Sequence, residues 1–178
     1  NPARAQRLLD GSVVTTLPPT MPTASCLEAP NALLGDIEGA HRVHGWSVPL
    51  RAINVSLGAS GTDAAPIRMA VLNDIGEPHP YVRDVISTAL ATDGRWEIDD
   101  PAAIAAAAGV RLPARGTLLD VGAQLGTYSL AFARRGFHVV AIEPMEQNVV
   151  AMRASLCLNP DFGRNIQLLH TAVVAPRQ

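Results

Sequence analysis

Lysine is missing from this chain altogether: all 14 of its basic residues are arginine. With many alanines, glycines and prolines around them, that skew reads as a bias of coding composition and carries no functional weight. Aromatic residues make up only 4% of the sequence, and the formal net charge is −2. No run of basic residues interleaved with aromatics occurs, and no global field would draw in a polyanion, so nucleic acid is not an expected partner. Cysteine is scarce as well. Cys26 and Cys157 stand far apart with no C-x-x-C spacing, and two cysteines cannot by themselves form a disulfide framework or a structural zinc site. Both are expected to be buried thiols.

Long apolar runs are lacking too. None reaches the ~18 residues of a membrane span, and the N-terminus has no charged region followed by an apolar core of the signal-peptide kind. The chain begins at Asn1 and not at methionine, as an excised or processed piece would, so the missing signal leaves localisation open. No G-x-S-x-G elbow and no P-loop are present. His41 and His44 are spaced like a metal pair but lack a third ligand nearby, and no metal is expected. His79 reads as a loop residue, and His138 and His170 as strand residues. Asp99 and Asp100, just ahead of Pro101, suit helix capping better than paired acid/base catalysis.

What is present suffices for one hydrophobic core. At 178 residues, 48% hydrophobic and 17% charged, the chain suits a single domain with an extension. Residues 1–47 are expected to form a poorly structured lead-in, rich in Pro, Thr, Ala and Ser (TTLPPTMPTAS). Residues 48–116 are expected to form an α+β extension. In it, Ile53, Val55 and Leu57 alternate, as do Ile67, Met69 and Val71, which predicts two strands. A helix is expected from Pro80, carrying Val82, Val85, Ile86, Ala89 and Leu90 to a stop at Asp93-Gly94. A second, shorter helix is expected after Asp100-Pro101, ending at Gly109.

From residue 117 to 178 the pattern sharpens. Strands are expected at Thr117–Val121, His138–Ile142 and Ile166–Val174, with helices at Gly126–Arg135 and Met145–Leu158 between them. Leu130, Phe132 and Ala133 mark the inner side of the first helix, and Val149, Met152 and Leu156 that of the second. Strands alternating with helices at this spacing make an α/β fold: βαβαβ, a parallel sheet with right-handed crossovers. In such a sheet ligands sit beyond the carboxyl ends of the strands. Gly122 and Gly126 occupy the loop after the first strand, where a missing Cβ lets the backbone turn sharply and a ligand come close. That loop leads into a helix N-terminus, whose free N–H groups suit a carboxylate or phosphate. Glu143 stands at the tip of the adjacent strand, where a carboxylate can accept hydrogen bonds from ribose hydroxyls. A nucleoside-containing ligand across the two tips is the implied occupant.

The loop also discriminates between nucleosides. D-V-G-A-Q-L-G has no glycine two places after Gly122, where a dinucleotide fold makes room for pyrophosphate, and this argues against NAD or FAD. S-adenosylmethionine carries a charged amino acid and a sulfonium instead, and the acidic Asp120 suits that cationic end. The run LLDVGAQLGTYSLAFARRGFHVVAIEPMEQNVVAMRASLCLNP, followed by NIQLLHTAVV, resembles the FkbM-type methyltransferases, S-adenosylmethionine-dependent enzymes of the Rossmann-like class. The resemblance covers about Thr117 to Val174. It implies that Asp120, Gly122, Ala123 and Gly126, with Gln124 between them, surround the methionine part, that Glu143 holds the ribose, and that Pro144 and Met145 border the adenine. The family often has Asn where this chain has Gln124 and a polar residue where it has Met145.

It implies further that the chain carries only the N-terminal βαβαβ half of a Rossmann-like doubly wound parallel sheet, cut short at its C-terminus. The 178 residues alone are therefore expected to be aggregation-prone and poor at holding cofactor. More weakly, YVRDVISTALATDGRWE resembles the segment that precedes the first strand in this family, which would bring Tyr81, Arg83, Trp96 and Glu97 near the site; a helix packed on the sheet is the plainer expectation. The implied activity is O-methyl transfer to a small-molecule or glycan hydroxyl, with no catalytic base identified in the sequence. A nucleotide-dependent oxidoreductase and a non-catalytic Rossmann-like binding module remain as alternatives.

Overall fold

The computed structural model describes residues 40–43, 46–56, 66–72, 84–97 and 100–175. Their strands form two three-stranded sheets. The first is antiparallel, with β1 (Ala40–Val43), β2 (Trp46–Val55) and β3 (Ile67–Leu72) in that order. Strand structure thus begins ahead of Val48, where the alternating pattern starts. β1 reads AHRV, too short and too polar to register as alternation, and its pairing with the start of β2 makes it a strand. Leu57, Tyr81, Val82, Arg83 and Asp99 lie outside the described residues, as do His44 and His79.

The helix expected from Pro80 is described from Val85, as α1 (Val85–Asp93). Asp84 caps it, its carboxylate accepting the Ser87 backbone N–H at 2.8 Å and the Ser87 hydroxyl at 2.6 Å. Gly94, left-handed at φ 68°, ends it by donating to the Leu90 carbonyl. Ile86 and Leu90 turn inward while Val85 faces solvent. Asp100 caps α2 (Pro101–Ala107) through the Ala102 N–H, as its place before Pro101 predicts.

β4 (Thr117–Val121), α3 (Thr127–Arg134), β5 (His138–Glu143), α4 (Glu146–Leu158), a short turn α5 (Pro160–Gly163) and β6 (Ile166–His170) complete the chain. Their sheet is parallel, ordered β4-β5-β6. This is a partial Rossmann-like α/β fold. Both crossovers step in the same direction, so with right-handed connections α3 and α4 lie on the same face. Burial follows that geometry: Val139, Ala141, Glu143, Ile166 and Leu168 are covered, whereas Leu119 and Val121 are 61% and 58% exposed. β6 stops at His170, short of the expected Val174. Its partner β5 ends at Glu143, opposite His170, so later residues have no backbone to pair with, and Val173 and Val174 are exposed.

Helix α4 joins the two sheets. Val149, Met152 and Leu156 are buried as expected, but so are Gln147, Ala151, Ala154, Ser155 and Leu158, because a second side of the helix meets β3. Three alternate N–H groups along β3 find side-chain acceptors, two at α4 and its C-cap and one on α1. Ala70 donates to Ser155 Oγ at 2.9 Å, Arg68 to Asn159 Oδ1 at 3.2 Å, and Leu72 to Ser87 Oγ of α1 at 3.0 Å. A strand edge is thereby satisfied by serine and asparagine in place of another strand. Asn159 Nδ2 returns a bond to the Arg68 carbonyl at 2.6 Å. Cys157, near the end of α4, is disulfide-bonded, and no described cysteine is free. For Cys157 this corrects the expectation of a buried thiol, since it is buried but as half of a disulfide; Cys26 lies outside the described residues.

Candidate functional site

The carboxyl ends of β4 and β5 lie side by side, with Asp120 opposite Ala141 and Val121 opposite Ile142 in the ladder. All eight residues singled out in the sequence fall at these two tips. Leaving β4, the chain is anchored at once: Gly122 N and Ala123 N both donate to the Ile142 carbonyl, at 2.8 and 3.0 Å. Three residues of the loop then adopt left-handed backbone, Gly122 at φ 81°, Gln124 at 51° and Gly126 at 85°. Ala123 is buried under the loop, and its carbonyl accepts from Gly126 N at 2.8 Å.

The two glycines do different work. A Cβ at Gly122 would meet nothing within 4 Å, so the loop is open on that side. At Gly126 it would stand 3.0 to 3.1 Å from Cε, Cγ and Sδ of Met152, a side chain fully buried on α4. Gly122 leaves room for something outside the fold, and Gly126 leaves room for the fold itself.

Glu143 joins the loops. Although 2% exposed, its carboxylate accepts the Gln124 N–H at 2.8 Å, the Met145 N–H at 2.9 Å and the Asn148 side-chain amide at 3.2 Å. Two of these are orphan backbone donors where a strand gives way to a helix, and a buried acceptor there fixes both turns at once. A carboxylate offers about four acceptor positions, so three bonds leave it about one more. Pro144 is exposed, its carbonyl 3.1 Å from His170 Nε2, and Met145 is the exposed N-cap of α4.

Asp120 is turned beneath α3, where its carboxylate accepts the Ser129 hydroxyl at 2.6 Å. Burial pushes its pKa up; the bonds from Ser129 oppose that shift, and the negative charge of Glu143 adds to it. From the upstream segment, Trp96 packs partly buried against the core. Glu97, left-handed at φ 49° and exposed, accepts the Tyr128 hydroxyl at 2.8 Å. Asp100 forms an ion pair with Arg135 at 2.9 Å in addition to its cap.

Sequence reasoning missed Ser129, Asn148 and Tyr128, and named Met152 as a core residue without its place against Gly126. Asn148 carried a usable signal, being a polar residue in the first turn of a helix that starts beside a buried acid. Ser129 and Tyr128 lie in the run TYSL with nothing local to mark their partners. Among the described residues no three His, Cys, Asp or Glu side chains come together as a metal-ligand set, and no helix is long and apolar enough to cross a membrane.

No family model matches the chain, and no curated protein matches it. Among solved structures it is similar to the glycopeptide N-methyltransferase MtfA, at 22% identity, over 39% of this chain and 31% of that one, with a TM-score of 0.32. The chain therefore spans less than a third of that protein's length. A likeness of this size carries no argument about chemistry, which rests on the residues at the two strand tips.

Proposed function

We propose that the strand tips bind S-adenosylmethionine and that the chain is the cofactor-binding part of a methyltransferase of the FkbM kind, acting on a hydroxyl of a sugar or other small metabolite. One observation carries the reading: a buried acid, Glu143, at the tip of β5 holds a glycine loop whose outer side, at Gly122, is open. The remaining acceptor position of Glu143 suits a ribose hydroxyl, and the exposed Pro144 and Met145 offer an apolar border for the adenine. The N-terminus of α3, capped by no side chain, suits the carboxylate of the amino acid end. The bound cofactor would supply an electrophilic methyl group on a sulfonium. The task left to this chain is alignment, which accounts for much of the catalysis in an in-line displacement.

The loop also weighs against a dinucleotide. In that fold the backbone N–H groups of the glycine turn face pyrophosphate. Here the Gln124 N–H is bonded to a carboxylate, and a negative charge at that point repels phosphate. Gln124, moreover, brings a side chain where the dinucleotide loop has glycine.

Amide NMR of the labelled protein, with S-adenosylhomocysteine or NAD added to millimolar levels, tests the reading even where affinity is weak. Amide shifts at Gly122, Gln124 and Met145 are expected with S-adenosylhomocysteine and not with NAD. Shifts with NAD alone would move the reading to an oxidoreductase. No shifts with either ligand would end it.

A further inference from the structure

The sequence pairs the cationic end of the cofactor with Asp120, but Asp120 lies under α3 and is bonded to Ser129. Glu143 is buried and already accepts three bonds. Another carboxylate stands at the rim of the same loop. Glu97 is exposed, and Tyr128, in the first turn of α3 just past Gly126, donates to its Oε2 at 2.8 Å. The Tyr128 bond takes one of the carboxylate's acceptor positions, and the residue is exposed.

Glu97 also sits in a backbone conformation that costs a non-glycine residue energy, at φ 49°. Among the described residues only Gln124, inside the loop, shares that feature. Preceding it, Trp96 is packed against the core, and Gly94 accepts Ser56 N at 3.3 Å. The turn is thus held from behind while the acid projects at its end. A solvated glutamate fixed at such a rim is suited to a cation that arrives from solution, because neither partner has to be buried before the other is in place.

We propose that Glu97, oriented by Tyr128, is the positioning residue for the α-ammonium group of the cofactor's amino acid end. This rests on the cofactor reading above and reassigns the cation from Asp120 to Glu97. The chemistry makes a sharp distinction between two probes. S-adenosylhomocysteine carries the α-ammonium group, whereas 5′-methylthioadenosine has the same adenosine without the amino acid end.

The affinity of each probe is measured by NMR titration for the wild-type chain, Glu97→Gln and Tyr128→Phe. Glu97→Gln is expected to weaken S-adenosylhomocysteine about tenfold or more, as loss of a charge-assisted hydrogen bond does, and to leave 5′-methylthioadenosine unchanged. Tyr128→Phe is expected to shift the first probe in the same direction by a smaller factor and to spare the second. Equal loss for both probes would make Glu97 a support of the loop and overturn the assignment, as would undiminished binding of S-adenosylhomocysteine. A wild-type chain that binds neither probe would overturn the cofactor reading itself. Unchanged melting temperatures of the two variants separate these outcomes from unfolding.

Discussion

Adding one methyl group at each glycine of the loop separates a packing role from a binding role. In Gly126→Ala the backbone stays at φ 85°, which costs an L-residue roughly 1–2 kcal/mol. The new Cβ also meets Met152 at 3.0 to 3.1 Å, and displacing so buried a side chain costs about 1–3 kcal/mol. Reduced freedom of the unfolded chain returns about 0.4–1 kcal/mol, leaving a net loss of about 2–4 kcal/mol. In Gly122→Ala the φ of 81° carries the same strain but nothing lies within 4 Å, so the net loss is about 0.5–1.5 kcal/mol. Urea denaturation read by circular dichroism compares the midpoints at constant slope. The same chain in a Met152→Ala background closes a double-mutant cycle, where Gly126→Ala should recover about 1–3 kcal/mol of coupling. For ligand binding the order reverses, with Gly122→Ala the more damaging per unit of stability lost. Equal destabilisation by the two alanines, or no coupling to Met152, would refute the division of labour.

Glu143→Ala leaves the Gln124 and Met145 N–H groups without their acceptor in a part-buried site, and stability read from urea denaturation should fall by about 1–3 kcal/mol; a change indistinguishable from zero would mean that water replaces the carboxylate and that Glu143 does not hold the loops. Asp120→Asn bears on pH. Burial raises the folded pKa of Asp120, so its favourable contribution is present below the unfolded aspartate pKa and disappears as pH rises through the folded value. The asparagine variant should therefore gain stability over wild type across that window and keep the gain at neutral pH, as urea midpoints taken at a series of pH values will report; a gap that closes with rising pH contradicts the sign. Ser155→Ala removes the acceptor for Ala70 N and should cost about 1–3 kcal/mol; an unchanged midpoint would mean that β3 is satisfied in some other way.

How much of this was visible beforehand depends on the range of each interaction. The strands and helices between Thr117 and His170 were legible because apolar periodicity and turn residues act over a few positions. The glycine loop and Glu143 were legible for a related reason, since a parallel sheet sends consecutive strand tips to the same end. What Glu143 does there was not, because its partners include backbone N–H groups that no sequence pattern marks. The joining of the sheets was hidden too. Ser155 and Asn159 look like unremarkable polar residues on a helix, and only folding brings them to β3, 85 and 91 positions earlier. The bond between Glu97 and Tyr128 spans 31 positions and left no trace for the same reason. β1 was missed because its strand character comes from pairing and not from its own composition.

Among the described residues, one face of the parallel sheet is only partly covered, with Leu119 and Val121 exposed at its β4 edge. Register places Leu119 and Val121 of β4 on one face with Val140 and Ile142 of β5 and Leu169 of β6, opposite the face that the right-handed crossovers cover. Among the described residues β4 pairs only with β5, so an apolar surface adjoins an open edge, a combination that templates association between chains. The wild-type chain should therefore self-associate with rising concentration, as followed by static light scattering. Leu119→Thr combined with Val121→Thr places a β-branched side chain at both positions, which keeps strand propensity while making the face more polar. Because these positions are 61% and 58% exposed, the pair should leave the urea midpoint within about 0.5 kcal/mol of wild type and still suppress association. A wild-type chain that stays monomeric at every concentration reached, or a double variant that associates just as readily, would show that this face does not drive association.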